Sequence, residues 1–493
     1  MKMVKSFLLG SAAGLVAVSG AQAADLPVKA KPVEYVKVCS LYGAGYYYMP
    51  GSDICLKLGG YVRYQAMTNP GNNITSGPLN GTGGRNTRID SADFGQRVRG
   101  VITTDTRSQT AYGTLRTYTL LGFSQDSMGS TGGETTSPPV YMTRGFIQVA
   151  GFTFGKASSF FDIYPNAAFG YNVGPMFVSD TGDAGKILAT YTAQLGSGLS
   201  VSLGIEQSKR RPVVYLTASS GAFTAGTVPT SNALSSSQNA TASGLPDIVG
   251  NIRMDQAWGS VLTAVALHNV AGGYWGTTTA NGNPEDAWGH AVTVGAILNL
   301  PMIAPGDKFA FQFVHSVGAI GYAAQTPSTS VMVRYDSAAT SANTSRVGFG
   351  FFTDGVYTTN GSVEKTTAWS VGAGFEHLWT PALRTSIYGS YIKVTHNAAA
   401  VALICANGGV FGTGGSAGGC NPDWSSWVLG SRTQWQPVRG WTMGVDVMYT
   451  KLNTATPSTG QSVATQGAQL ATNLIGDQSA WVFSFRTQRD YHP

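Results

Sequence analysis

Two sets of charged side chains and one set of cysteines have types and spacings that point to chemistry. Arg63, Arg97, Arg99, Arg116 and Arg144 all fall in segments of alternating hydrophobicity, and Asp162, Asp180 and Asp183 fall together in one polar stretch, 161–185. Guanidinium groups gathered on one wall of a water-filled space order water and favour polar or charged solutes over apolar ones of similar size. Carboxylates facing them would turn that wall into a transverse field; the alternative is that the aspartates are solvated loop charges. The cysteines are Cys39 and Cys55, flanking the turn-like Pro50–Asp53, and Cys405 and Cys420, within one polar segment. Four cysteines allow three pairings, and the local one (39–55, 405–420) needs the least chain rearrangement. Zinc ligation is the rival reading, but neither CxxC spacing nor nearby histidine supports it, and no metal or other cofactor is expected.

Enzyme motifs fail on inspection. There is no HExxH pair, and the six histidines are scattered. Gly155-Lys156 and Gly185-Lys186 lack P-loop spacing and the following Ser/Thr. Gly151–Gly155 has Thr where a nucleophile elbow needs Ser. The chain is read as not an enzyme. A Ser/His or Asp/His set on a barrel rim is the enzymatic alternative.

The elements that position the arginines are short and alternating. In Leu56–Ala66, Leu58, Val62 and Tyr64 share one face, and Lys57, Tyr61, Arg63 and Gln65 the other. In Asp93–Thr104, Phe94, Val98 and Ile102 stand opposite Arg97, Arg99 and Thr103. The same pattern recurs in 111–121, 141–150, 152–160, 186–195, 199–207, 246–257, 260–270, 288–300, 308–317, 366–379, 383–394, 424–436, 441–452 and 479–491, giving sixteen candidate strands. Arg116 and Arg144 share their faces with Tyr118 and Phe146, so alternation alone does not orient them. A cation facing lipid near the midplane costs roughly 2–4 kcal/mol, and that cost turns both inward. Asn251, Arg253, Asp255, Glu376, Asp446 and Arg486 are expected to face inward too.

The links between these strands alternate strictly in length. Those at 105–110, 151, 196–198, 258–259, 301–307, 380–382 and 437–440 are tight and rich in Gly, Pro, Asp and Ser; those between them are long and polar. Short periplasmic turns and long outer loops are the asymmetry of an outer-membrane barrel, and an even strand number is its rule; a soluble sandwich gives no reason for either. Trp258, Trp288, Trp379, Trp424, Trp441 and Trp481 lie near strand ends, as interfacial girdles require, or else pack in a core. In the last strand Trp481, Phe483, Phe485 and Tyr491 share one face, the feature that the barrel-assembly machinery is expected to read.

Composition fits the same picture. The 493 residues carry only 11 % charged side chains, under half of the roughly 25 % usual in soluble domains, yet mean hydropathy is zero. The net charge of +6 is spread thinly, which gives no clustered basic surface for nucleic acid. Lys2 and Lys5, the apolar Phe7–Val18 and Ala21-Gln22-Ala23 read as an export signal cleaved before Ala24. No later stretch supplies the roughly 20 apolar residues of a spanning helix.

The run Cys39–Arg63 (CSLYGAGYYYMPGSDICLKLGGYVR) resembles the opening of alphaproteobacterial general porins of the rhizobial and Brucella type, as do Tyr112–Tyr118, Gly145–Gly155, Ser159–Asp162 and the closing Arg489–Pro493. This resemblance spans nearly the whole mature chain. It implies an all-β, 16-stranded antiparallel transmembrane β-barrel with short periplasmic turns, long outer loops and a third loop folded inward to narrow the channel. The domain layout expected is a signal peptide (1–23), a periplasmic N-terminal segment with a disulfide (24–55) and the barrel (56–493). The implied function is passive diffusion of small hydrophilic solutes and ions by a homotrimer in the outer-membrane lipid of a Gram-negative bacterium. A solute-specific channel for anions is the alternative, and a plugged structural barrel a third. In this setting Arg63, Arg97, Arg99, Arg116, Arg144, Asp162, Asp180 and Asp183 are the expected pore constriction.

Overall fold

Strands that must hide every backbone N–H and C=O from lipid can do so only by pairing with one another until the sheet closes. The computed structural model describes residues 37–68, 94–126, 140–163, 169–171, 178–179, 185–216, 245–275, 279–324, 332–336, 346–405, 419–456, 463–464 and 472–491. The expected signal segment 1–23, together with Asp180 and Asp183, lies outside these residues. Sixteen long strands form: β1 Cys55–Thr68, β2 Phe94–Thr110, β3 Gly113–Asp126, β4 Val140–Val149, β5 Phe152–Ala157, β6 Lys186–Gly196, β7 Leu199–Glu206 and β8 Asp247–Gln256, then β9 Gly259–Val270, β10 Ala287–Asn299, β11 Lys308–Val317, β12 Thr367–Thr380, β13 Leu383–Thr395, β14 Trp424–Val438, β15 Trp441–Asn453 and β16 Gln478–Asp490. Each pairs antiparallel with its sequence neighbours, and β16 returns to β1 in the register Tyr61↔Asp490 to Met67↔Ser484. The barrel is closed.

Four of the seven tight links are tighter than the sequence suggests. β2 runs on to Thr110, leaving only Ala111-Tyr112 before β3, where a turn over 105–110 is expected from sequence. Ala150 (φ 51°) with Gly151 (φ 85°), and Ser197 (φ 49°) with Gly198 (φ 77°), place two positive-φ residues at successive turn positions, the backbone twist that matches a two-residue hairpin.

The outward faces are apolar from end to end. Val62 is 53 % exposed, and Val98, Ile102, Phe154, Ile252, Val265 and Ile387 stand out similarly; in β16 Trp481, Phe483 and Phe485 do the same. Trp258, Trp288, Trp379, Trp441 and Trp481 are exposed near strand ends, as a girdle requires. Trp424 is a correction: it is 1 % exposed, and its indole N–H donates to the Phe351 carbonyl at 2.7 Å. It sits on the inward side of β14, beneath the outer loops. Tyr491 completes the seam from outside, its amide donating to Gly60 O at 3.0 Å and its hydroxyl to Val101 O at 2.7 Å.

The interior is divided. Inward positions of β9–β12 carry Ala264, Ala266, Ala291, Ala310 and Ala368, all buried. An alternating strand in a water-filled barrel should be polar at these positions; here they are small and apolar because loops pack on them. Loop 3 (158–185, between β5 and β6), loop 6 (318–366, between β11 and β12) and α1 (Ala398–Cys405, in the β13–β14 connection) contribute Phe161, Ile163, Phe169, Tyr322, Phe349, Phe352 and Ile404 to one continuous core with that wall. Asn397 caps α1 through its Oδ1, which accepts from the Ala400 amide at 2.7 Å, an ordinary N-cap.

Candidate functional site: the barrel interior

The arginines of β1 and β2 form a patch on the inner face of the barrel. Register pairs Arg63 with Arg99 and Gln65 with Arg97, and across the seam Gln65 with Arg486 of β16. All four arginines therefore fall in two adjacent rows on the inner face. Arg97 stands opposite Asp126 of β3 in the register. Arg63 Nε donates to Gln488 at 2.6 Å, Arg99 Nε to Ser124 at 3.0 Å, and Arg486 through two nitrogens to Gln65 at 2.7 and 3.1 Å. Each also stacks on a ring, with Arg63 4.6 Å from Tyr61, Arg99 5.4 Å from Tyr141 and Arg486 4.2 Å from Tyr171. Stacking on these rings holds the guanidiniums of Arg63, Arg99 and Arg486 in place.

Arg116 and Arg144 face inward by different routes. Arg116 grips Asp105 with two nitrogens (2.8 Å and 3.0 Å) and lies 5.5 Å from both Tyr118 and Phe146, which stack on each other inside the barrel. The aromatic residues that obscured its face in the sequence are its platform. For Arg144 a bulge in β4, between the partners of Leu120 and Leu121, shifts the alternation so that Met142 and Ile147 point outward while Arg144 turns in. Its guanidinium donates to Thr143 O at 2.8 Å and to Ser158 at 2.9 Å.

Asp162 departs from the expectation of a carboxylate facing the arginine wall. Its side chain is 8 % exposed; it takes the Lys209 ammonium at 3.5 Å and the Ser179 hydroxyl, while Lys209 also donates to Ser179 at 2.6 Å. It pins the two ends of loop 3 together and to the start of loop 4 (207–246). A buried carboxylate needs such pairing, and a loop residue beside Lys209 finds it there.

Inward residues that the sequence did not place at the constriction anchor loop 3. Glu206 accepts Ser159 at 2.6 Å and the Phe160 amide at 2.7 Å, and Asn251 donates to Phe160 O at 2.6 Å. Farther along, the Tyr171 amide donates to Asp446, whose other oxygen takes the Tyr388 hydroxyl at 2.6 Å. Arg486 donates to Tyr171 O at 3.0 Å, and Arg432, paired with Glu376 at 2.7 Å, lies 5.4 Å from the Tyr171 ring. Burial raises the Tyr171 phenol above its ordinary pKa, so it stays neutral among these charges. Wall glycines make room: a Cβ at Gly295, Gly372, Gly374 or Gly444 would meet Ile163, Val178, Phe169 or Tyr171 within 2.3–2.6 Å. The signal was in the sequence as glycine and alanine at inward positions where a water-lined wall wants polar residues. The described residues of loop 3 thus lie along β8–β16.

Both local disulfides form, Cys39–Cys55 and Cys405–Cys420, with Cα separations of 5.9 and 6.0 Å. The first closes the N-terminal segment over the inner face of β1 and β2, where Tyr46 is buried and the Arg107 guanidinium lies 5.1 Å from its ring.

A closed sixteen-stranded barrel with an apolar exterior, an inward third loop and an arginine-rich inner wall defines an outer-membrane channel-type barrel. Among solved structures, the outer membrane channel DcaP of Acinetobacter baumannii shares this fold, with a TM-score of 0.57 at 12 % identity over 90 % of this chain and 99 % of that one. The chain belongs to the porin subfamily, whose family model matches residues 25–481. It is 37 % identical to porin Omp2b of Brucella suis over 280 residues, 54 % of this chain and 66 % of that protein, and 35 % identical to Omp2b of Brucella canis over the same length. The match thus spans just under two thirds of those relatives.

Proposed function

We propose that the protein is a water-filled channel for passive diffusion of small hydrophilic solutes and ions, without enzymatic activity. The observation that carries this reading is a closed barrel whose inner wall holds Arg63, Arg97, Arg99 and Arg486 in two adjacent rows, while the described residues of loop 3 are bound to β8–β16. Arg63, Arg99 and Arg486 donate to the neutral side chains of Gln488, Ser124 and Gln65, and Asp162 is held by Lys209. Local positive potential of this kind raises anion concentration at the narrowest point, so small anions should pass more readily than cations. The second reading, a channel specific for one anionic solute, draws on the same guanidinium patch. The domain layout belongs to the proposal: export by 1–23, a periplasmic N-terminal segment to Cys55, and the barrel from 56. So do homotrimeric assembly, surrounding outer-membrane lipid and delivery by the barrel-assembly machinery through β16.

Swelling of liposomes loaded with the purified oligomer tests it. Neutral sugars should enter at rates that fall smoothly with size and do not saturate. Saturable entry of one anion with exclusion of sugars would favour the specific channel, and no swelling at all would refute both.

A further inference from the structure

Loop 6 is held inside the barrel by a cluster that the arginine patch does not involve. His268, inward on β9 and buried, lies between two carboxylates: its Nδ1 is 2.7 Å from Asp247 Oδ1 on β8, and its Nε2 is 3.3 Å from Asp354 Oδ2 in loop 6. Asp354 also accepts the amides of Arg211 and Ile320, and Asp247 accepts the Tyr322 hydroxyl at 2.7 Å and the Lys209 amide at 3.0 Å. Nδ1 hydrogen-bonds to Asp247, and an imidazolium set between two carboxylates also pairs by charge with Asp354 on its Nε2 side. It therefore ties the wall to the loop through one buried group. Around it Tyr322 packs 4.7 Å from Phe161 of loop 3 and 4.9 Å from the Lys209 ammonium, and the Arg211 guanidinium lies 4.8 Å from Phe352. Loop 6 continues as a strand, Gly355–Tyr357, pairing with Val213–Tyr215 of loop 4.

This arrangement puts packed loop against the outer half of the β8–β12 wall, above loop 3, where a simple constriction would leave an open vestibule. The buried alanines on that wall are its counterpart. We propose that loop 6 is a second pore-narrowing element, clasped to the wall by Asp354, His268 and Asp247, and that it sets the size limit for solutes entering from the extracellular side. The proposal rests on the channel reading above.

The test is exclusion of neutral polyethylene glycols of graded size, added to one side at a time of a planar bilayer holding the intact oligomer, with conductance as the readout. Wild type should exclude smaller polymers from the extracellular side than from the periplasmic side. Asp354→Asn should shift the extracellular cut-off to larger polymers and leave the periplasmic cut-off unmoved, a one-sided change that general loosening of the barrel does not produce. If Asp354→Asn fails to assemble, Tyr322→Phe, which keeps the ring and removes only the bond to Asp247, should shift the same cut-off in the same direction by less. Equal cut-offs on the two sides of wild type, or an assembled variant with wild-type cut-offs, overturns the role of loop 6 while leaving the channel standing. A wild-type oligomer that never conducts overturns the channel and this proposal together.

Discussion

Arg63 and Arg99 are direct register partners across β1 and β2, with both side chains on the inner face of the barrel. Like charges opposite one another destabilise a sheet, and here each guanidinium is steadied by a neutral acceptor, Gln488 or Ser124, and by a tyrosine ring. A barrel selected for stability alone would place a carboxylate on one of the two. The proposed anion-favouring wall requires this concentration of charge.

Reversing two of these charges should reverse their effect. Arg97→Glu combined with Arg99→Glu is expected to move the reversal potential under a salt gradient toward cation selectivity while conductance stays open. A reversal potential equal to wild type would remove both residues from the constriction.

Loop 3 should loosen when its far anchor is cut. Asp446→Asn weakens the acceptor for the Tyr171 amide and the Tyr388 hydroxyl, at a cost of about 1.5–3 kcal/mol for hydrogen bonds to a charged group. Single-channel records should then show frequent partial closures at voltages where wild type is quiet. Records as quiet as wild type would mean that Tyr171 does not hold the loop.

The seam depends on Gly60. A Cβ there would lie 2.1 Å from Val101 O and 2.6 Å from the Tyr491 hydroxyl, so Gly60→Val must displace Tyr491 or part β1 from β2. Overpacking of this kind costs typically 1–3 kcal/mol, and the barrel should unfold at lower temperature in a heat-shift assay on detergent gels. An unshifted transition would show that Tyr491 contributes nothing to closure.

The Cys405–Cys420 bond ties α1 to the segment leading into β14. Closing a loop of about this length stabilises by roughly 3 kcal/mol in the chain-entropy account. Replacing both cysteines by serine should therefore expose the β13–β14 connection to protease on intact cells and leave the barrel itself resistant. Equal protease resistance would show that packing of Ile404 and Ala400 alone suffices.

The strands were legible because a lipid exterior enforces period-two alternation, and all sixteen form where that alternation runs. The arginines of β1 and β2 were legible for the same reason. What alternation could not carry is contact between distant segments. Asp162 reads as a carboxylate facing the arginine wall until Lys209, 47 residues on, reaches it. Tyr171 meets Asp446 across 275 residues. Arg144 changes face at a bulge, where one extra residue breaks the count. Trp424 reads as a girdle residue because nothing local says that Phe351 lies above it. Ala264, Ala291 and Gly374 did carry a sign of the packed loops, since water-lined strands seldom place such residues on successive inward positions.

The most direct test of the channel and its positive wall is the reversal potential of the unheated wild-type oligomer in a planar bilayer under a tenfold potassium chloride gradient. Large ohmic openings in steps of three with a reversal potential on the chloride side are the predicted result. An absence of openings, or openings that reverse on the potassium side, would contradict it.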